Sequence, residues 1–150
     1  MYHWIVERRV RSLFARLSAG DLDYAASQFH PPCEHWFSGD SALGGTRSGT
    51  EAIQAWYRRL GTLLPDLEFE IRAVLVRGWP WNTTVTVEWR DRFTLPGGAP
   101  GSNAGVHVIG LRWGRAHRLA VYCDTGRLVG YLKSMSDAGI AEAAMAPITG

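Results

Sequence analysis

Cysteine is scarce: Cys33 and Cys123 are the only two in 150 residues. Neither stands at a metal-ligand spacing, and two cysteines make no disulfide framework. Cys33 and His35 with the distant Cys123 form a poor zinc set, so no metal is expected, and a reducing cytoplasm is the expected compartment. No apolar run reaches the roughly 20 residues of a membrane span. The opening M-Y-H-W-I-V-E-R-R lacks the basic-then-apolar order of a leader, so no membrane partner is expected. Charge of one sign is lacking too. The formal net charge is +2 and the basic residues are scattered, which leaves no electrostatic footprint for nucleic acid. Internal repeats and low-complexity segments are absent. What is present is ordinary for one globular domain spanning residues 1–150, with 46% hydrophobic and 20% charged residues. Seven tryptophans are many for this length, and such rings line apolar pockets as well as cores.

Val6, Val10, Leu13, Phe14 and Leu17 recur at helical spacing, which predicts a helix over 3–18 ended by Gly20. Asp21 or Asp23 caps a short second helix running to Phe29 and stopped by Pro31-Pro32. Residues 33–48 read as irregular, with a short strand at 35–37. Thr50 caps a third helix whose inner face carries Ile53, Trp56, Tyr57 and Leu60, and Gly61 ends it. Four strands follow, near 68–77, 83–95, 103–113 and 116–124, then a helix at 127–135. The Ala- and Gly-rich tail from Asp137 is expected to be loosely attached.

The segment Thr83–Leu95 alternates with period two, Val85, Val87, Trp89, Asp91 and Phe93 against Thr84, Thr86, Glu88, Arg90 and Arg92. Asp91 is thus a carboxylate in an apolar series, where an ionised group is costly unless paired or solvated. Pairing residues whose numbers sum to 160 sets Glu68, Glu70 and Arg72 against Arg92, Arg90 and Glu88 on the wet face. The inner face then pairs Phe69 with Asp91 and Ile71 with Trp89. A sum of 198 for the next pair of strands keeps the apolar series aligned and sets Asp91 opposite His107. A hairpin about Gly114-Arg115 gives a sum of 229, with His107 facing Tyr122 and Gly105 facing Asp124. On these registers Asp91, His107, Tyr122 and Asp124 converge on one face. Val106, Val108, Leu119 and Val121 share the other, an apolar patch that suggests a homodimer.

Three helices followed by a meander of long antiparallel strands resembles the nuclear transport factor 2-like superfamily. That group includes SnoaL-like polyketide cyclases, ketosteroid isomerases, limonene epoxide hydrolases and scytalone dehydratases. R-S-G-T-E-A-I at 47–53 resembles the start of the third helix of ketosteroid isomerases. W-G-R-A-H-R-L-A-V-Y-C-D at 113–124 resembles the hairpin and closing strand of SnoaL-like domains. H-W-F-S-G-D-S-A-L-G-G at 35–45 and G-W-P-W-N at 78–82 look like those of bacterial members. The resemblance implies an α+β, cone-like fold, in which three N-terminal helices pack on a strongly curved, mainly antiparallel sheet around a central pocket. It implies that Asp124 matches the late-strand acid or base of the cyclases and epoxide hydrolases, and Asp91 the second hydrolase aspartate. Trp89 stands where those hydrolases carry an arginine. His107 falls near the protonated aspartate of the isomerases, and their base falls near 34–40.

The candidate catalytic residues are therefore Asp124, Asp91 and His107. The candidate substrate-binding residues are His35, Trp36, Trp56, Tyr57, Trp89 and Tyr122. Each also has a structural reading: Asp124 as a helix cap, His107 as a satisfied core histidine, His35 as a loop hydrogen bond, the aromatics as core. Arg47 reads as a loop anchor. A histidine held by a carboxylate stays basic enough for proton transfer near neutral pH, and Tyr122 offers a donor to a developing oxyanion. The expected function is acid–base chemistry (isomerisation, cyclisation, dehydration or epoxide opening) on a hydrophobic, oxygenated small molecule. No cofactor is implied. The alternative is a non-catalytic ligand-binding or dimeric interaction module of the same fold.

Overall fold

Helix α1, Tyr2–Ser18, forms because Val6, Val10, Phe14 and Leu17 fall on one face, and all four are buried. Helix α2, Leu22–Ser27, begins where the Asp21 carboxylate accepts the Tyr24 amide at 3.3 Å. The computed structural model describes residues 1–150. Strand β1 spans Phe29–Phe37, longer than the three residues expected, because Pro31-Pro32 lie inside an extended segment instead of ending a helix. Strand β2 is Gly45–Arg47, and helix α3 is Thr50–Leu63. Thr50 does not cap α3: the cap position is Gly49, with no side-chain bond. Gly61 lies inside α3, where a Cβ would meet the Leu22 side chain at 2.6 Å, so it serves close packing of α3 on α2.

Strands β3 (Glu68–Trp79), β4 (Asn82–Thr94), β5 (Pro100–Arg112) and β6 (Arg115–Cys123) precede helix α4, Thr125–Asp137. The sheet runs β2-β1-β6-β5-β4-β3, antiparallel throughout except for the parallel β1–β6 pair. It is curled but not closed, and with four helices makes an α+β fold. Val85 and Val87 of β4 are fully buried on its inner face, each contributing about 1.5–3 kcal/mol of apolar burial. No helix is long and apolar enough to cross a membrane.

The charge-pattern register holds for Glu68–Arg92, Phe69–Asp91, Glu70–Arg90 and Ile71–Trp89, and then shifts by one residue at Arg72. Two constraints compete here. The charges favour a sum of 160, whereas the two-residue turn Pro80-Trp81 imposes Trp79 opposite Asn82. A bulge reconciles them and turns Val74 and Val76 toward Val87 and Val85, leaving Leu75 exposed. The expected Arg72–Glu88 pair is lost, and Arg72 instead contacts Glu70 at 3.2 Å. Glu68 and Arg92 do form an ion pair, and such exposed pairs contribute little to stability.

Between β4 and β5 the sum is 194, not 198, so Asp91 faces Asn103 and His107 faces Val87. A tight loop causes the shift: Leu95 and Ala99 are joined by a 2.7 Å backbone bond, and Gly97 and Gly98 take positive φ. The difference is even, so the inner series stays inside. Between β5 and β6 the turn is Trp113-Gly114, one residue earlier than expected, and a bulge at His117 brings the sum to 228. That odd difference flips β6. Leu119 and Val121 point into the core, and Tyr122 points out beside Val106.

The tail does not hang free. Arg47 Nε donates to the Ile148 carbonyl at 3.0 Å, and Arg59 Nη1 donates to Ala146 at 2.8 Å. The Ser48 and Gly49 amides donate to the Gly150 carbonyl, and Ala143 is buried against the core. Backbone groups and arginines recruit this segment, which the loop-forming composition of residues 137–150 did not reveal.

Candidate functional site

Asp91 is the one carboxylate on the inner face of β4, and it borders two spaces. One is a mostly apolar cavity of about 50 Å³ between helices and sheet. The other is an open polar cleft of about 630 Å³, lined by Glu68, Arg90, Arg92, Asp124 and Arg127 among others. Phe69 and Asn103 border both as well. The Asp91 Oδ1 accepts the Asn103 amide at 2.7 Å. Burial dominates over that hydrogen bond and pushes its pKa up to about 6. Asn103, unremarked in the sequence, is a buried strut. Its Nδ2 donates to the Asp124 carbonyl at 3.0 Å, while its Oδ1 accepts the Ala104 and Asp124 amides.

His107 does not meet Asp91. Trp89 Nε1 donates to His107 Nδ1 at 2.7 Å, across the β4–β5 pair. Gly105 makes this possible. It stands directly opposite Trp89, and a Cβ there would lie 2.7 Å from the indole ring and closer still to the Tyr122 carbonyl oxygen of β6. Gly105→Ala is therefore expected to displace Trp89 from His107 and cost about 1–3 kcal/mol. Urea unfolding and the indole N–H resonance of Trp89 would read both effects, and an unshifted resonance would disprove the contact. The half-buried His107 lines the cavity, its ring packed edge-on against Phe14 at 5.0 Å and Trp89 at 5.7 Å. Burial lowers its pKa to about 3. The expectation of a partly protonated His107 is thus corrected: the nearest strong partner is a donor, not a carboxylate. With Nδ1 accepting, the neutral ring carries its proton on Nε2, which has no protein partner.

His35 and Arg47 form a second polar pair in the core, both 0% exposed. Arg47 Nη1 donates to His35 Nδ1 at 2.7 Å and Nη2 to the Gly44 carbonyl at 2.8 Å, while the guanidinium lies 5.5 Å from the Trp56 ring. Burial pulls the Arg47 pKa down to about 10. Burial first, then Arg47 and His107, hold His35 well below the ordinary histidine range. His35 Nε2 is buried without a partner. Trp56 donates its indole N–H to the Leu43 carbonyl at 2.8 Å, whereas the Tyr57 hydroxyl has no protein partner, and both rings line the cavity. Burial raises the Tyr57 pKa, so the phenol stays protonated.

The remaining expected site residues lie outside the cavity, although Asp124 lines the open cleft that Asp91 also borders. Asp124 is exposed, and its Oδ1 accepts the Arg127 amide at 3.0 Å as the N-cap of α4. Tyr122 and Trp36 pack on each other at 4.9 Å on the outer face, away from the cavity. The convergence of Asp91, His107, Tyr122 and Asp124 is therefore not formed; a one-residue bulge and a four-residue register difference undo it. Brought together at the cavity are Asp91, His107, Trp89, Trp56 and Tyr57. No group of three His, Cys, Asp or Glu side chains is arranged to hold a metal.

Comparison with known proteins agrees with this architecture. An NTF2-like protein of unknown function from Burkholderia pseudomallei is similar over 83% of this chain and 95% of its own, at 19% identity and a TM-score of 0.70. A protein of ketosteroid isomerase-like fold from Catenulispora acidiphila, solved with trimethylamine, covers 81% and 89% at 16% identity and a TM-score of 0.67. TerC, co-crystallised with polyporic acid, covers 80% and 92% at 22% identity and a TM-score of 0.63. These identities speak for the fold alone. Comparison with curated proteins gives no match. The SnoaL-like domain model matches residues 10–119, so the chain belongs to the SnoaL-like domain family.

Proposed function

We propose that the protein is an acid–base enzyme acting on a small, hydrophobic, oxygenated molecule, with Asp91 as the proton-transfer group. The observation that carries this reading is Asp91 itself: a carboxyl with a pKa near 6 at the edge of an apolar cavity. A base is most effective when its pKa lies near the working pH. Only one of its oxygens is engaged, by the Asn103 amide. The neutral His107, with its proton on Nε2, is a donor and not a base. The free Tyr57 hydroxyl is a second donor. Either can hydrogen-bond an oxygen that gains negative charge as Asp91 removes a proton from the adjacent carbon. Isomerisation, aldol-type cyclisation and dehydration all use that pair of roles. TerC, similar in fold, was crystallised with polyporic acid, which supports small-molecule binding for this architecture.

One observation favours the second reading, a binding module without turnover. A cavity of about 50 Å³ holds only a fragment of a polyketide or terpenoid, far below the roughly 300–1,000 Å³ of ordinary ligand sites. A substrate must be small, or must extend into the cleft that Asp91 also borders. Turnover of a panel of enolisable ketones and epoxides by wild type and Asp91→Asn separates the two. Activity lost in the variant supports the enzyme; ligand binding with no turnover in either protein supports the module.

We also propose a homodimer through the outer face of β5, β6 and β1, where Val106, Val108, Tyr122 and Trp36 lie together. Half of the patch expected from the sequence, Leu119 and Val121, faces inward, but Tyr122 and Trp36 replace it. Sedimentation at micromolar concentration should give the mass of two chains; a monodisperse monomer would refute the dimer.

A further inference from the structure

Three tryptophans stand in solvent at one end of the molecule, and the proposed chemistry uses none of them. Trp79 and Trp81 flank Pro80 at the β3–β4 turn, and Trp113 opens the β5–β6 turn; they are 63%, 56% and 71% exposed. The Trp79 and Trp81 rings stack at 6.2 Å, and Trp113 tilts against Trp81 at the same separation. The Trp113 amide donates to the Pro80 carbonyl at 2.6 Å, joining both turns into one tip. Helix α1 is fastened there as well: His3 bonds the Gly78 carbonyl at 2.8 Å and Tyr2 the Thr83 hydroxyl at 2.5 Å. Single exposed apolar residues need no explanation, whereas a contiguous aromatic cluster does.

Trp113 adds a backbone oddity. Its φ is +51°, and Gly114 follows with a positive φ. Two-residue hairpin turns with both central residues left-handed favour Asn-Gly, not a bulky ring.

Charge around the tip has one sign. Arg77, Arg112 and Arg115 flank the tryptophans in sequence and are exposed, and the exposed Arg9 guanidinium sits over Gly114. No Asp or Glu occurs from Arg92 to Cys123, nor from Ile71 to Val87. The acid of α1 in this region, Glu7, is paired with Arg11 at 3.0 Å. Beneath Trp113 runs a groove of about 270 Å³ between α1 and the sheet, lined mainly by apolar side chains that include Ile5, Val10, Leu13 and Leu111.

We infer that this tip docks on the surface of an anionic lipid bilayer. Tryptophan rings favour the bilayer–water interface, with the indole at headgroup level. Arginines beside them add attraction to anionic headgroups, and the apolar groove accepts part of an acyl chain. An acidic protein surface fits the charge as well, but the exposed tryptophans and the apolar groove beneath them call for an apolar layer under the anionic one, which a bilayer supplies. Docking is peripheral, as no helix can span. The basic residues look scattered along the chain, and two hairpins and a helix gather them, so this inference departs from the sequence-based expectation of no membrane partner, which rested on the lack of a span and of a leader.

The test is co-sedimentation of the full chain with phosphatidylcholine vesicles and with vesicles containing about 30% phosphatidylglycerol. Anionic vesicles should retain about tenfold more protein at low salt, and the excess should shrink as salt screens the arginines. Trp113→Asn restores the favoured Asn-Gly turn, so it should keep or raise thermal stability while binding falls severalfold. Arg112→Gln with Arg115→Gln should abolish the preference for anionic vesicles. Equal pelleting with and without vesicles overturns the inference and leaves the tip to an acidic protein partner. Wild-type binding by Trp113→Asn together with Trp81→Ser overturns it as well.

Discussion

Asp91→Asn is expected to lower turnover by about 10²–10⁴-fold and, at the same time, to make the protein more stable at pH 8. The two effects share one cause. Burial raises the folded-state pKa of Asp91 from 3.8 to about 6. Below pH 3.8 the carboxyl is protonated in both states and contributes nothing to pH dependence. As pH rises from about 4 to 6 the unfolded chain ionises first, so stability is lost through that window. Above about 6 the full penalty stands. A shift of roughly two pKa units corresponds to at most about 3 kcal/mol, reduced because the group also borders the open cleft. Asparagine keeps an oxygen for the Asn103 amide and never ionises. Urea midpoints of wild type and variant should therefore differ near pH 8 and coincide near pH 3.5. Equal midpoints at pH 8 would mean that Asp91 is not held up by burial. Full turnover in the variant would remove it from the chemistry.

The order of elements and the inner series of β4 were legible because period-two alternation is local, and Asp91 stood out as a polar break in it. The registers were harder. Charge pairing located Glu68 opposite Arg92, but the turn at Pro80-Trp81 demands an odd correction that a bulge absorbs, and the turn at Trp113-Gly114 an even one that a bulge at His117 makes odd. Nothing in the alternation announces a bulge, although Val74 and Val76, the more apolar choice for the inner face, hinted at the first. For the β6 flip the signal was Leu119 and Val121 themselves, better core residues than Tyr122 and Asp124. Asn103 was hidden in a run of small residues, Gly101–Gly105, that carries no periodicity. Arg47 depends on carbonyls at Gly44 and Ile148, and a bond across 101 residues has no local trace. Asp124 could be read as a cap from its position before Thr125–Asp137, and that reading matches its bond to Arg127.

The fold should also be acid-labile, and the loss should be traceable to individual histidines. His35 and His107 are neutral in the folded protein, both depressed first of all by burial. In the unfolded chain each takes up a proton near pH 6.5. A lowered folded pKa means that this stability is present above pH 6.5 and is lost as pH falls toward the folded values. His117, depressed by burial and by Arg112 and Arg118, pulls in the same direction, more weakly because its ring is partly exposed. Asp91 opposes them. Between about pH 6 and 4 the folded state holds a proton on Asp91 that the unfolded state releases. The His107 proton gained on unfolding offsets the one from Asp91, and His35 and His117 turn the sum into a net uptake. Each proton of net uptake corresponds to a slope of about 1.4 kcal/mol per pH unit. Asp91→Asn removes the opposing term, so the variant should lose stability more steeply in this window, by about one proton, despite its advantage near pH 8. His107→Gln should flatten the slope by about one proton, since glutamine does not titrate. Urea unfolding at intervals from pH 7 to 4 measures all three slopes. A wild-type stability that is level across that range, or a His107 ring that titrates near 6.5 in the folded protein, would disprove the burial of a neutral histidine beside Trp89.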